Sequence, residues 1–156
     1  QGPEFIYSIF LISSLIVTSF VDLEHGIIPD ELTIPLMGVG LIFRVFFPPY
    51  KFLDSLLGLL LGGGIILLIV IISRGGMGGG DIKLFAMVGA FLGVKKTILA
   101  LLLSFIFGGL IGAFLLATRL KGMKDAIPFG PFIALGTIIS LYFSDFIIPW
   151  YLGFFF

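Results

Sequence analysis

The chain has 156 residues, 59% of them hydrophobic and 12% charged, with a mean hydropathy of +1.25. So little polar surface cannot cover a water-soluble globule, and a bilayer is the expected solvent. Nine basic and nine acidic residues cancel, which gives no reason to expect a nucleic-acid partner, and the lack of cysteine excludes disulfides, a thiol nucleophile and cysteine-based zinc sites from this segment.

In chain order, Gln1-Gly2-Pro3-Glu4-Phe5 reads as a protease-cleavage remnant and cloning scar, leaving 6–156 as one membrane domain. Hydropathy predicts an all-α, polytopic protein with six transmembrane helices at about 6–21, 32–47, 52–73, 82–94, 97–118 and 129–148. The first lacks the basic leader and small-residue cleavage site of a signal peptide, and further apolar spans follow it. The third and fifth, at roughly 33 Å, match a hydrocarbon core of about 30 Å. The fourth reaches only roughly 20 Å, so it starts below the membrane surface or is sheltered by its neighbours. Connections at 22–31, 74–81 and 119–128 fall on one side, and those at 48–51 and 94–96 on the other. Arg74, Lys83, Arg119, Lys121 and Lys124 against Arg44, Lys51, Lys95 and Lys96 make the first side the cytoplasmic one by a narrow margin. Glycines inside the spans, such as Gly58, Gly62, Gly63 and Gly108, are expected to let helices pack closely. Tyr142, Trp150 and Tyr151 read as interfacial anchors.

Two aspartates stand where ionised groups are costly. Asp22 closes the first span and Asp81 opens the fourth, and alternating crossings bring both to one membrane face. Two neighbouring carboxylates in a medium of low dielectric constant share a proton, which supplies an acid and a base for attack of water on a carbonyl. Gly75-Gly76-Met77-Gly78-Gly79-Gly80 would let an extended peptide approach Asp81, since no side chains stand in the way. Helix capping accounts for the same residues, with Asp81 as an N-terminal residue and the glycines as a turn.

Val21-Asp22 with Ile28-Pro29-Asp30 and Leu32-Thr33, then Met77-Gly78-Gly79-Gly80-Asp81-Ile82-Lys83-Leu84, then Ile127-Pro128-Phe129-Gly130-Pro131-Phe132 resemble, in order and spacing, the signatures of bacterial type IV prepilin peptidases. The resemblance covers the chain from residue 6 onward. It implies a membrane aspartyl endopeptidase of the GxGD type with Asp22 and Asp81 as catalytic dyad and without cofactor. The implied reaction is cleavage of the class III leader of type IV prepilins and type II secretion pseudopilins, after a glycine, at the cytoplasmic face of the bacterial inner membrane. The methylating region of many such enzymes, marked by paired cysteines, has no counterpart in this segment, so methylation is not expected from it. Other readings are a preflagellin-type or other GxGD protease, or a small noncatalytic membrane transporter or scaffold whose aspartates bind a cation.

Further residues carry weaker expectations. Gly78, Gly79, Gly80, Lys83, Pro128 and Gly130 are candidates for substrate contact, and Glu24 and Glu31 for attracting a basic leader. His25, three residues after Asp22, could tune the dyad; a metal site with Glu24, Asp30 and Asp81 is not expected. Arg119, Lys121 and Lys124 read as topology determinants touching lipid headgroups. The expected partners are the precursor substrate and membrane lipid.

Overall fold

A computed structural model describes residues 2–47 and 51–155. Five helices follow one another: α1 (Gly2–His25), α2 (Asp30–Phe46), α3 (Phe52–Ile72), α4 (Gly79–Ala117) and α5 (Gly130–Phe155). α1 begins at Gly2 and so includes residues set aside as a scar. Most of the connection expected at 48–51 lies outside the described residues.

The expected six transmembrane helices are corrected on two counts. Four helices, α1, α3, α4 and α5, are long and apolar enough to cross a membrane. α2 has 17 residues, about 26 Å of helix, and it carries Asp30 and Glu31 in its first turn and Arg44 in its last. The fourth and fifth expected spans form the single 39-residue element α4, interrupted at Gly93 alone. The sequence Gly93-Val94-Lys95-Lys96 reads as a loop, but helical backbone resumes after one residue. Gly93 has φ 74° and ψ 179°, a conformation almost confined to glycine. There α4 folds back: Asp81 in its first turn and Lys121 just beyond its last line one cavity.

The first arm of α4 is the axis of the fold. Residues 84–93 are all buried, a helix apolar around its whole circumference. The shortness seen in the sequence is therefore the shelter of neighbours. Leu11 and Leu15 of α1, Ile66 of α3 and Ile133 of α5 pack on Leu84, Phe85, Met87, Val88 and Phe91. α3 lies closest. A Cβ added to Gly89 would strike the Gly58 carbonyl, and one added to Gly62 would stand 2.5 Å from the Phe85 carbonyl oxygen, so glycines set this interface.

The break leaves backbone groups without their helical partners, and side chains take over. The Phe91 carbonyl accepts a hydrogen bond from the Tyr7 hydroxyl at 2.9 Å and another from the Arg44 guanidinium. The Val94 N–H donates to Asp54 Oδ1 at 3.2 Å, and Asp54 lies 3.8 Å from Arg44. Thr97 donates to the Gly93 carbonyl at 2.6 Å, and Ser140 to that of Lys96 at 2.6 Å. Tyr7 stacks between Phe43 and Phe91 and fixes the start of α1 to this joint.

Candidate active site

Asp22 sits in the last turn of α1, which stops because Gly26 takes φ 66° and closes the helix with its N–H on the Asp22 carbonyl at 2.8 Å. Asp81 sits in the first turn of α4, behind the extended N-cap residue Gly78. The two are 59 positions apart, from 81 and 22, yet both line two adjoining cavities of about 690 and 270 Å³ at one end of the bundle. Each retains only 6% of its exposure.

A backbone amide holds each carboxylate. The N–H of Gly130, first residue of α5, has no acceptor within its own helix and donates to Asp22 Oδ2 at 2.7 Å. The Gly78 N–H donates to Asp81 Oδ2 at 3.3 Å. Two helix N-termini, with their positive dipole ends, thus meet at the pair. Among the described residues neither Oδ1 accepts a hydrogen bond, which leaves one oxygen of each carboxylate without a protein donor. Asp81 does cap its helix, as the capping reading requires, but with one oxygen only.

The glycine run forms part of the cavity wall. Gly75, Gly76 and Gly78 line the larger cavity, and Gly78, Gly79 and Gly80 the smaller. A Cβ on Gly80 would stand 2.8 Å from Ile28 Cβ, so the close approach of this run to the α1–α2 turn requires glycine. Pro128 lines the larger cavity beside Phe129 and Ile127. Gly130 touches Asp22 itself: a Cβ there would lie 2.7 Å from Oδ2.

The remaining sequence candidates stand elsewhere. Lys83 forms an ion pair with Asp30 across the α2–α4 boundary, so a substrate contact would have to displace that partner. Glu24 and Glu31 are exposed and line neither cavity. His25 is exposed, lies 3.9 Å from Glu24 and lines neither cavity. Among the described residues no group of three His, Asp or Glu side chains is placed to hold a metal ion.

Sequence reasoning passed over Ser73, Phe105 and Lys121, which also line the larger cavity. Lys121, read as a topology determinant touching headgroups, also donates from Nζ to the Ala126 carbonyl at 2.9 Å. Its only sequence signal is its place between two spans that return to the same end.

Residues 9–113 match the type IV leader peptidase family. Over 97% of its length the chain is 37% identical to a prepilin leader peptidase/N-methyltransferase of Legionella pneumophila, covering 54% of that protein. It is 34% identical to the protein of that name in Bacillus subtilis over 96% of the chain and 60% of the relative. The like-named protein of Aeromonas salmonicida is 35% identical over 89% of the chain and 50% of the relative. The chain spans about half the length of the curated relatives it matches. No solved structure matches. With the family match running through both aspartates and the glycine run between them, the chain belongs to the type IV leader peptidase family.

Proposed function

We propose that this chain is the peptidase unit of an intramembrane aspartyl endopeptidase, with Asp22 and Asp81 as its catalytic dyad. Its substrates are type IV prepilins and type II pseudopilins, cut after a glycine at the cytoplasmic face of the bacterial inner membrane. One observation carries this reading: two buried carboxylates from remote parts of the chain border the same open cavities, each anchored through a single oxygen.

The chemistry needs one proton between the two acids. The ionised carboxylate takes a proton from water as the water oxygen attacks the scissile carbonyl carbon, and the protonated one gives its proton to the developing oxyanion. Collapse breaks the C–N bond: the proton taken from water passes to the leaving amine, and the diol hydroxyl returns its proton to the carboxylate that had protonated the oxyanion. This restores the shared proton. The side-chain-free edge at Gly75, Gly76 and Gly78 lets an extended peptide lie against the backbone beside Asp81. Gly130 fixes the Asp22 carboxylate through its N–H, so its proposed role shifts from substrate contact to positioning of the base or acid.

The test uses purified protein and a prepilin whose leader carries a single glycine junction. A shortened product that appears with wild type and disappears with both Asp22→Asn and Asp81→Asn supports the reading. Cleavage that persists in either variant removes the dyad.

A further inference from the structure

The two cavities that meet at the dyad differ in charge. Asp22 and Asp81 border both, and Asp30 joins them in the smaller. Among the described residues Lys121 is the sole cation lining either, and it lines only the larger. There it stands among apolar side chains, Leu23, Ile69, Phe105 and Phe129.

The fold fixes where this charge sits. α4 ends at Ala117 and Arg119 takes φ 57°, so the Leu120 N–H reaches back to the Leu115 carbonyl and the Arg119 N–H to that of Leu116, each at 3.1 Å. This closing turn stops the helix and delivers Lys121 to the cavity wall. Just beyond it, the Gly122 N–H donates to Asp125 Oδ2 at 2.6 Å and the Asp125 N–H to the Gly122 carbonyl at 3.1 Å. That second turn brings the Ala126 carbonyl to Lys121 Nζ, at 2.9 Å. One of three ammonium donors is thereby used. The charge is not: among the described residues Lys121 makes no ion pair, and the nearest acid in sequence, Asp125, accepts from the Gly122 amide instead.

A dyad that keeps one proton carries one negative charge and draws a cationic side chain from either direction. Lys121 offsets that draw on the larger side alone. The smaller side, where Asp30 is balanced by Lys83 and no cation lines the wall, retains it. We propose that Lys121 is a specificity-determining residue, given that the dyad cuts peptides as proposed above. It keeps lysine and arginine side chains of the substrate out of the larger cavity and admits apolar or acidic ones, so that a peptide lies across the dyad in one direction. A basic side chain entering there would lose water among Leu23, Phe105 and Phe129 while facing a like charge, and both costs fall on the same group.

The test uses the purified chain and precursor peptides that differ only in carrying Lys, Gln or Glu at one position, taken in turn on either side of the glycine junction. With wild type, Lys should lower kcat/KM about tenfold below Glu on one side of the junction, with Gln between them, and not on the other side. Lys121→Met should bring that ratio close to one, and Lys121→Glu should reverse it. Ratios taken within one enzyme are insensitive to a general loss of rate. Lys124→Glu, in the same loop but exposed and lining neither cavity, should keep the wild-type ratios. Competition binding of the same peptides to Asp81→Asn, with and without Lys121→Glu, reads the selection as Kd in the absence of cleavage. Kd ratios that reverse although no enzyme cuts remove the peptidase reading and keep the charge selection; cutting with ratios that ignore Lys121 does the opposite. Should Lys121→Glu fail to fold, the levelled ratio of Lys121→Met decides. A Lys penalty that is equal on both sides, absent from wild type, or reversed as fully by Lys124→Glu overturns the proposal.

Discussion

The two ends of the first arm of α4 solve opposite problems with the same side-chain chemistry. At the Gly93 end, opened backbone groups are satisfied by the Tyr7 hydroxyl, the Arg44 guanidinium and the Asp54 carboxylate. At the Asp81 end, carboxylates are held by the opened amides of Gly78 and Gly130. In the first case charged side chains serve the backbone, and most of their capacity is spent. In the second the backbone serves the side chains, and one oxygen of each is left over. The packed joint and the proposed reactive centre thus differ in which partner keeps unused hydrogen-bonding capacity.

That contrast can be broken from either end. The largest effect belongs to Asp22→Asn and Asp81→Asn, each expected to lower kcat by about 10²- to 10⁴-fold while leaving Tm close to wild type; unfolding instead of inactivity would make these residues part of a joint. Next, Gly93→Ala places a Cβ on the Asp54 carboxylate at a φ of 74°. It should cost about 3 kcal/mol of stability in a denaturant titration, with the activity of the folded fraction retained. Gly130→Ala separates positioning from packing. Its Cβ would lie 2.7 Å from Asp22 Oδ2, so kcat should fall by about tenfold with KM nearly constant, and a change confined to KM would assign Gly130 to substrate contact. The smallest effect is expected for Lys83→Met. Its ion pair with Asp30 joins side chains that are 42% and 49% exposed, so stability in a denaturant titration should change by no more than about 1 kcal/mol. A loss of activity at unchanged Tm would restore Lys83 to the substrate site.

Much of the centre was legible because carboxylates at the edges of apolar spans are costly and few. Asp22, Asp81 and the glycine run declare themselves that way. The contact between Gly130 and Asp22 was not legible, since an amide carries no side-chain signature and 108 positions separate the two. The joint was hidden for a different reason. Arg44 in the last turn of α2 and Asp54 in the first turn of α3 look like ordinary ends of helices, and only the geometry of Gly93 gives them a task. The same residue hid the continuity of α4. Hydropathy falls at Val94-Lys95-Lys96 as it would in any loop, but it does not record that the backbone departs from helix at one position. Hydropathy also promoted α2, whose apolar middle is long enough to notice and whose charged ends shorten it.

The placement of Gly93 bears on biogenesis. Tyr7, Arg44 and Asp54 all precede α4 in the chain, so the groups that stabilise its fold-back leave the ribosome before residues 91–94 do. A permuted gene that begins at Gly79 would deliver the bent hairpin first, with its opened carbonyls facing lipid, and its membrane insertion should fail at that step.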